Sequence, residues 1–346
     1  MGKKFIIYQM LPRLFGNRNS NCVHNGSLAE NGSGKFCDIS VKVLEELKKL
    51  SVTHLWYTGI IRHATDGDKT AKGKAGSPYA IKDYYDVNPY MAAHPESRMA
   101  EFEELVSRTH SQGLKVLIDF IPNHLSREYD SAVKPFDDRN FYPGRIHDGD
   151  WTDTVKLNYG SHDTWEKMRD ILMFWAAKGV DGFRCDMVEL VAVDFWEWCI
   201  PQIKKSFPDI IFIAEIYQPH NYHPYIRRGG FDYLYDKSGF YDTLRGISVG
   251  HTPASSLTSV WQGLGDFQPN MLNFLENHDE QRVASDFFIG DPRRSMAMLY
   301  VSLLFNTAPF MIYFGQELGE RGMEKEGFLV DADALKAMGV SFDAEI

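Results

Sequence analysis

Short apolar runs alternate with amphipathic stretches along most of the chain. The runs lie at residues 5–11, 54–60, 114–121, 179–185, 210–215, 231–234, 271–275 and 309–313. They are too short for helices and rich in β-branched and aromatic residues, so they read as buried strands. Between them, apolar residues recur at three- and four-residue spacing, which predicts helices at 41–50, 98–112, 164–177, 194–206 and 293–305. Gly113 and Gly179 stand where helices end before the next strand. Strands alternating with helices predict a parallel α/β architecture. Eight such repeats favour a closed (β/α)8 TIM barrel over an open doubly wound sheet.

Three connections are longer than an α/β unit requires: 16–37, 62–95 and 124–162. Each follows a strand, so a barrel gathers all three at its C-terminal face, where active sites form. Their aromatic residues, Trp151 among them, predict ordered loops rather than slack ones.

Composition narrows the partners. The 346 residues carry 37 Lys and Arg against 47 Asp and Glu, a formal net charge of −10. Such a surface repels phosphate backbones, which argues against nucleic acid. No apolar run reaches the ~20 residues of a membrane span. The segment Phe5-Ile6-Ile7-Tyr8-Gln9-Met10-Leu11-Pro12 contains a Gln and lacks a small-residue cleavage site, so it reads as a first strand rather than a signal peptide. Cys22, Cys37, Cys185 and Cys199 have irregular spacing, with neither a disulfide framework nor a zinc motif, and a reduced cytoplasm fits them best.

The chemistry concentrates at strand ends. Four apolar runs finish in ionisable or hydrogen-bonding residues: Leu117-Ile118-Asp119-Phe120-Ile121-Pro122-Asn123-His124, Gly182-Phe183-Arg184-Cys185-Asp186, Phe212-Ile213-Ala214-Glu215, and Phe274-Leu275-Glu276-Asn277-His278-Asp279. Charges at the ends of buried strands are costly unless paired, so four such endings point to one shared site. Arg184 and Asp186 are two apart and face the same side of their strand, which suits an ionised Asp186 to act as nucleophile. Glu215 follows an apolar run with no basic residue nearby in sequence, a setting for a protonated general acid. Carboxylates in opposite protonation states are the equipment of a retaining glycosidase. Asp279 is a third carboxylate for the same cavity. Asp119 lies within its strand, where a bond to Arg184 outweighs a chemical role.

These clusters resemble, in order and position, the four diagnostic regions of the α-amylase family, glycoside hydrolase family thirteen. Tyr8-Gln9, Tyr79-Ala80-Ile81-Lys82-Asp83-Tyr84-Tyr85 and Phe310-Met311-Ile312-Tyr313-Phe314-Gly315-Gln316-Glu317 extend the resemblance over most of the chain. It implies that Asp186 forms the covalent glycosyl-enzyme, that Glu215 is the acid and base, and that Asp279 holds sugar hydroxyls and favours the distorted ring. It implies that Arg184 orients Asp186, that His124 and His278 bind hydroxyls, and that Tyr79 is a stacking platform. Arg282 is either a sugar contact or an ion-pair partner.

The resemblance also divides the chain. Residues 1–123 and 163–346 would form the barrel, 124–162 a short inserted domain B after the third strand, and the usual C-terminal β-sandwich is not expected. Only one short helix, at 333–338, is expected after Gly319. No cofactor is implied beyond a structural calcium, for which Asn123 matches one ligand. Leu190 stands where relatives carry a His ligand, and this argues against the metal. Glu189 replaces a Lys found in several relatives. The implied activity is hydrolysis of α-1,4-glucosidic bonds in starch-like glucans or maltooligosaccharides. Transglycosylation or isomerisation of trehalose- or sucrose-like substrates remains an alternative, as does non-catalytic glucan binding.

Overall fold

A computed structural model describes residues 4–23, 26–65, 67–129 and 135–322. Twelve strands occur among them: β1 (Ile6–Met10), β2 (His54–Tyr57), β3 (Ile61–His63), β4 (Ile81–Val87), β5 (Lys115–Phe120), β6 (His124–Ser126), β7 (Thr154–Lys156), β8 (Gly182–Cys185), β9 (Ile211–Ala214), β10 (Tyr233–Tyr235), β11 (Met271–Phe274) and β12 (Phe310–Tyr313). Eight of these, in the order β1-β12-β11-β10-β9-β8-β5-β2, close into a parallel barrel. The eight strands read from the sequence are these eight, seven of them trimmed at one or both ends and the one read at 231–234 shifted to Tyr233–Tyr235.

Ile7, Trp56, Leu117, Ile213, Tyr235, Leu272, Phe274 and Met311 fill the barrel interior. The alternate side chains meet the surrounding helices, as a period of two requires. The helix Arg98–Ser111 buries Phe102, Leu105, Val106 and Thr109, one stripe at helical spacing. The helix Val41–Lys49 starts at Ser40, whose hydroxyl accepts the Val43 N–H. Gly182 lets β8 enter between its neighbours: a Cβ there would come within 2.5 Å of Ile211 Cγ1 and 2.7 Å of Leu117 Cδ2.

Two antiparallel pairs decorate the C-terminal face. β3 pairs with β4 in the loop after β2, and β6 with β7 in the loop after β5. Neither pair is legible in the sequence pattern, because three-residue strands show no period and β4 interleaves charged residues with aromatic ones. Short helices at Tyr222–Arg227, Asp242–Ser248 and Ser256–Leu264 also escape it. The helix read at residues 333–338 lies outside the described residues. No described helix is long and apolar enough to cross a membrane.

Register positions the site. Asp119 pairs with Arg184, and Cys185 with Ala214. Asp186 and Glu215 are therefore the next residue on each of two adjacent strands. The backbone ladder continues to them: Asp186 N–H donates to Phe120 at 2.9 Å, and Glu215 N–H to Cys185 at 3.0 Å.

Candidate active site

One guanidinium links three strand-end carboxylates. Arg184 Nη1 lies 3.0 Å from Asp186 Oδ1 and 3.4 Å from Asp119 Oδ1, while Nη2 lies 2.7 Å from Glu215 Oε1. Arg184 is 1% exposed, and its Nε donates to the Tyr235 hydroxyl at 3.3 Å. Asp119 is held from its other side by Trp56 Nε1 at 3.1 Å and the Gly59 N–H at 3.3 Å. It is a structural anchor, as its place inside the strand predicts.

Charge is distributed differently from the sequence reading. Glu215 has no basic neighbour in sequence but sits on Arg184 in space. Its Oε2 accepts the Met187 N–H at 2.7 Å and its Oε1 the Tyr217 hydroxyl at 2.7 Å. It is therefore surrounded by donors rather than by an apolar wall. Asp186 is the carboxyl pushed well above the ordinary range, by burial first and by Glu215 second, with Arg184 opposing. Burial likewise pushes Asp119 up to about 6 against the pull of Arg184. One cation shared among three buried carboxylates does not offset the burial of Asp186 and Asp119.

Asp279 lies beyond β11 with 41% of its side chain open to solvent. The cleft walls push its carboxyl up while Arg184 draws it down. Its backbone is fixed by Asn277, whose Oδ1 accepts the N–H groups of Asp279 and Glu280 at 2.8 and 2.9 Å. His278 Nε2 is 3.2 Å from Asp279 Oδ2 and touches the Tyr79 hydroxyl, and the Tyr79 and His278 rings stack with centroids 5.4 Å apart. The opposite nitrogen of His278 meets Gln9 Nε2 at 2.8 Å. An amide nitrogen only donates, so His278 carries its proton on Nε2. Burial holds His278 down at about 3 and His124 at about 4, so both rings are neutral donors near pH 7.

Asp186, Glu215 and Asp279 line one cavity of about 360 Å³ with Tyr79, His124, Trp151 and Tyr217. A second hollow of about 610 Å³ shares Lys72, Ser77, Tyr79 and Asp279 with it. The two hollows meet at these shared residues, and Asp279 lines both. Aromatic rings, neutral donors and paired carboxylates suit a polyhydroxylated ring better than an anion.

The description "Alpha amylase, catalytic domain" matches residues 9–153. Alpha-amylase 3 of Dictyoglomus thermophilum is 24% identical over 353 residues, an alignment covering 88% of this chain and 64% of that protein. An α-amylase crystal structure from Lactobacillus plantarum superposes with a TM-score of 0.72 at 26% identity, over 94% of this chain and 74% of that one. Residues 9–153 thus match the α-amylase catalytic domain, and most of the chain is similar to α-amylases. An intracellular maltogenic amylase of Bacillus subtilis is 23% identical, over 92% of this chain and 56% of that protein. The chain thus spans less than two thirds of the length of these curated relatives.

Within this cleft, sequence reasoning located the three carboxylates, Arg184, Tyr79, His124 and His278, and the structure brings all seven together. Arg282 goes elsewhere. It is 1% exposed, bonds Glu276 at 3.0 Å and the Phe314 carbonyl at 2.8 Å, and lies 4.2 Å from the Tyr313 ring centroid. It is the ion-pair partner and lines neither hollow. Tyr217 and Trp151 escaped the sequence reading of the site. For Tyr217 a signal existed: it stands two residues after Glu215, the spacing that returns a side chain to the same side of an extended segment.

The residues around Asn123 do not fit calcium. Asn123 directs Nδ2 at Asp148 Oδ2, 2.8 Å away, and Lys156 Nζ lies 2.8 Å from Asp148 Oδ1. The carboxylate that Asn123 bonds already has a cation, and no group of three or more His, Cys, Asp or Glu suited to hold a metal ion is found among the described residues.

Proposed function

We propose that the chain hydrolyses α-1,4-glucosidic bonds of maltooligosaccharides or starch-like glucans with retention of configuration. The observation that carries this reading is the Arg184 fork, which spans Asp186 and Glu215 inside a cavity walled by Tyr79, Trp151 and Tyr217. Glu215 donates a proton to the glycosidic oxygen as that oxygen takes the electron pair of the breaking bond. Asp186 bonds to the freed anomeric carbon, and Arg184 balances its charge while it is ionised. In the second step Glu215 takes a proton from water, whose oxygen displaces Asp186. Asp279 accepts hydrogen bonds from sugar hydroxyls, and neutral His124 and His278 donate to them without adding charge.

No metal enters this chemistry. Cys185 and Cys199 are buried free thiols, which supports a reducing compartment such as the cytoplasm.

Cleavage of maltoheptaose by the chain and by Glu215→Gln tests the reading. The account predicts that Glu215→Gln loses activity by about 10³-fold or more. Equal rates would remove Glu215 from the mechanism. Transfer products as the main outcome would replace hydrolysis with transglycosylation.

A further inference from the structure

Glu189 stands three residues after Asp186, in the short turn Val188–Leu190. Its carboxylate accepts three hydrogen bonds, all from the segment that follows β9. The donors are the Tyr217 N–H at 2.8 Å, the Gln218 N–H at 3.1 Å and Asn221 Nδ2 at 2.7 Å. The same segment carries the Tyr217 hydroxyl to Glu215 Oε1. The turn begins at Met187, whose backbone takes a left-handed conformation (φ 42°) and aims its N–H at Glu215 Oε2. A non-glycine residue holds that conformation only when its surroundings compensate the strain. The turn after Asp186 therefore reaches both oxygens of Glu215, one directly through Met187 and one through Glu189 and Tyr217.

We propose that Glu189 is a positioning residue: by fixing residues 217–221 it holds the Tyr217 hydroxyl on Oε1 of Glu215, beside Arg184, and so sets how readily that carboxyl gives up its proton. With Glu215 ionised, the Tyr217 hydroxyl donates to Oε1. The hydrogen bond from Tyr217 favours the charged carboxylate, so it lets the proton go more readily. The other ionisable groups that face Glu215 are Arg184 and Asp186 from the β8 end, Asp119 from β5, Tyr235 from β10, and His278 and Asp279 beyond β11. Tyr222 and Tyr225 lie near Glu189 itself. All of these are unchanged by substitutions at 189 and 217.

The inference rests on the proposed role of Glu215 as acid, and its test separates the two. The pH dependence of kcat/KM on maltoheptaose is measured for the chain, Tyr217→Phe, Glu189→Ala and the double variant. Tyr217→Phe should move the basic limb up by roughly half to one pH unit, the equivalent of one lost hydrogen bond. Glu189→Ala should move it the same way and lower kcat about tenfold. The double variant should show no further displacement of the limb, because Glu189 acts through Tyr217. Glu189→Gln, which keeps one acceptor oxygen, should fall between, and it replaces Glu189→Ala if that variant does not fold.

Additive displacements, or a Glu189 variant that loses activity with its limb in place, would overturn the proposal. An infrared titration of carboxyl groups, taken as the difference from Glu215→Gln, reads the same displacement without turnover. If the chain cleaves no glucan, the functional reading fails while this titration still decides the clamp: displacement in both single variants upholds it, and none in the Glu189 variant overturns it.

Discussion

At the scale of the residue, Arg184 organises the site. Its planar fork meets three carboxylates with two nitrogens, Nη1 on Asp186 and Asp119 and Nη2 on Glu215, which the point charge of a lysine cannot reproduce. Removing the cation outright would leave buried carboxylates uncompensated, at a cost of about 3–5 kcal/mol. Arg184→Lys keeps a charge but loses the bridge between Asp186 and Glu215. It should fold and lose about 10²-fold in kcat/KM, with most of the loss in kcat. Steady-state kinetics on maltoheptaose beside a thermal melt checks this, and a change within threefold would remove the fork from the mechanism. Arg184 also shows why the sequence misassigned the local charge. Its spacing from Asp186 is legible because both lie on one strand. Its contact with Glu215 depends on the register between two strands, which no local pattern encodes.

At the scale of the element, what was legible followed from period and length. Barrel strands appear as buried apolar runs and helices such as Arg98–Ser111 as stripes, since each must bury one face. Strand ends were legible too, because charges following a buried run need a shared reason. The three-residue strands β6 and β7 were not, and neither was Trp151 as a cavity wall, since loop geometry is set by tertiary contacts rather than by repetition. Arg282 follows the Asn-His-Asp cluster in sequence, yet the chain turns it inward onto Glu276.

The loop between β6 and the helix His162–Ala177 makes its own prediction. Lys156 supplies the cation beside Asp148, where family resemblance would place calcium. EDTA should leave the melting temperature within about 1 °C, whereas Lys156→Ala should lower it by a few degrees. A drop with EDTA that calcium restores would contradict the assignment.

At the scale of the whole molecule, the barrel brings four separated stretches of sequence to one face. Closure through β1 and β12 sets Gln9 against His278, and the β5-β8-β9 register sets Asp119, Arg184, Asp186 and Glu215 side by side. The loops then add what the strands lack: Tyr79 precedes β4, Trp151 precedes β7, and Tyr217 follows β9 under the hold of Glu189. Specificity on this reading belongs to the loops and bond cleavage to the strand ends.

The central claim is that Asp186 becomes covalently bonded to the sugar. The direct measurement is mass spectrometry of peptides after reaction with a 2-deoxy-2-fluoro α-maltosyl fluoride, whose glycosyl-enzyme hydrolyses slowly. The account predicts one added glycosyl mass on the peptide containing Asp186 and none in Asp186→Asn. An adduct on any other residue, or turnover of the fluoride with Asp186→Asn at the unaltered rate, would contradict it.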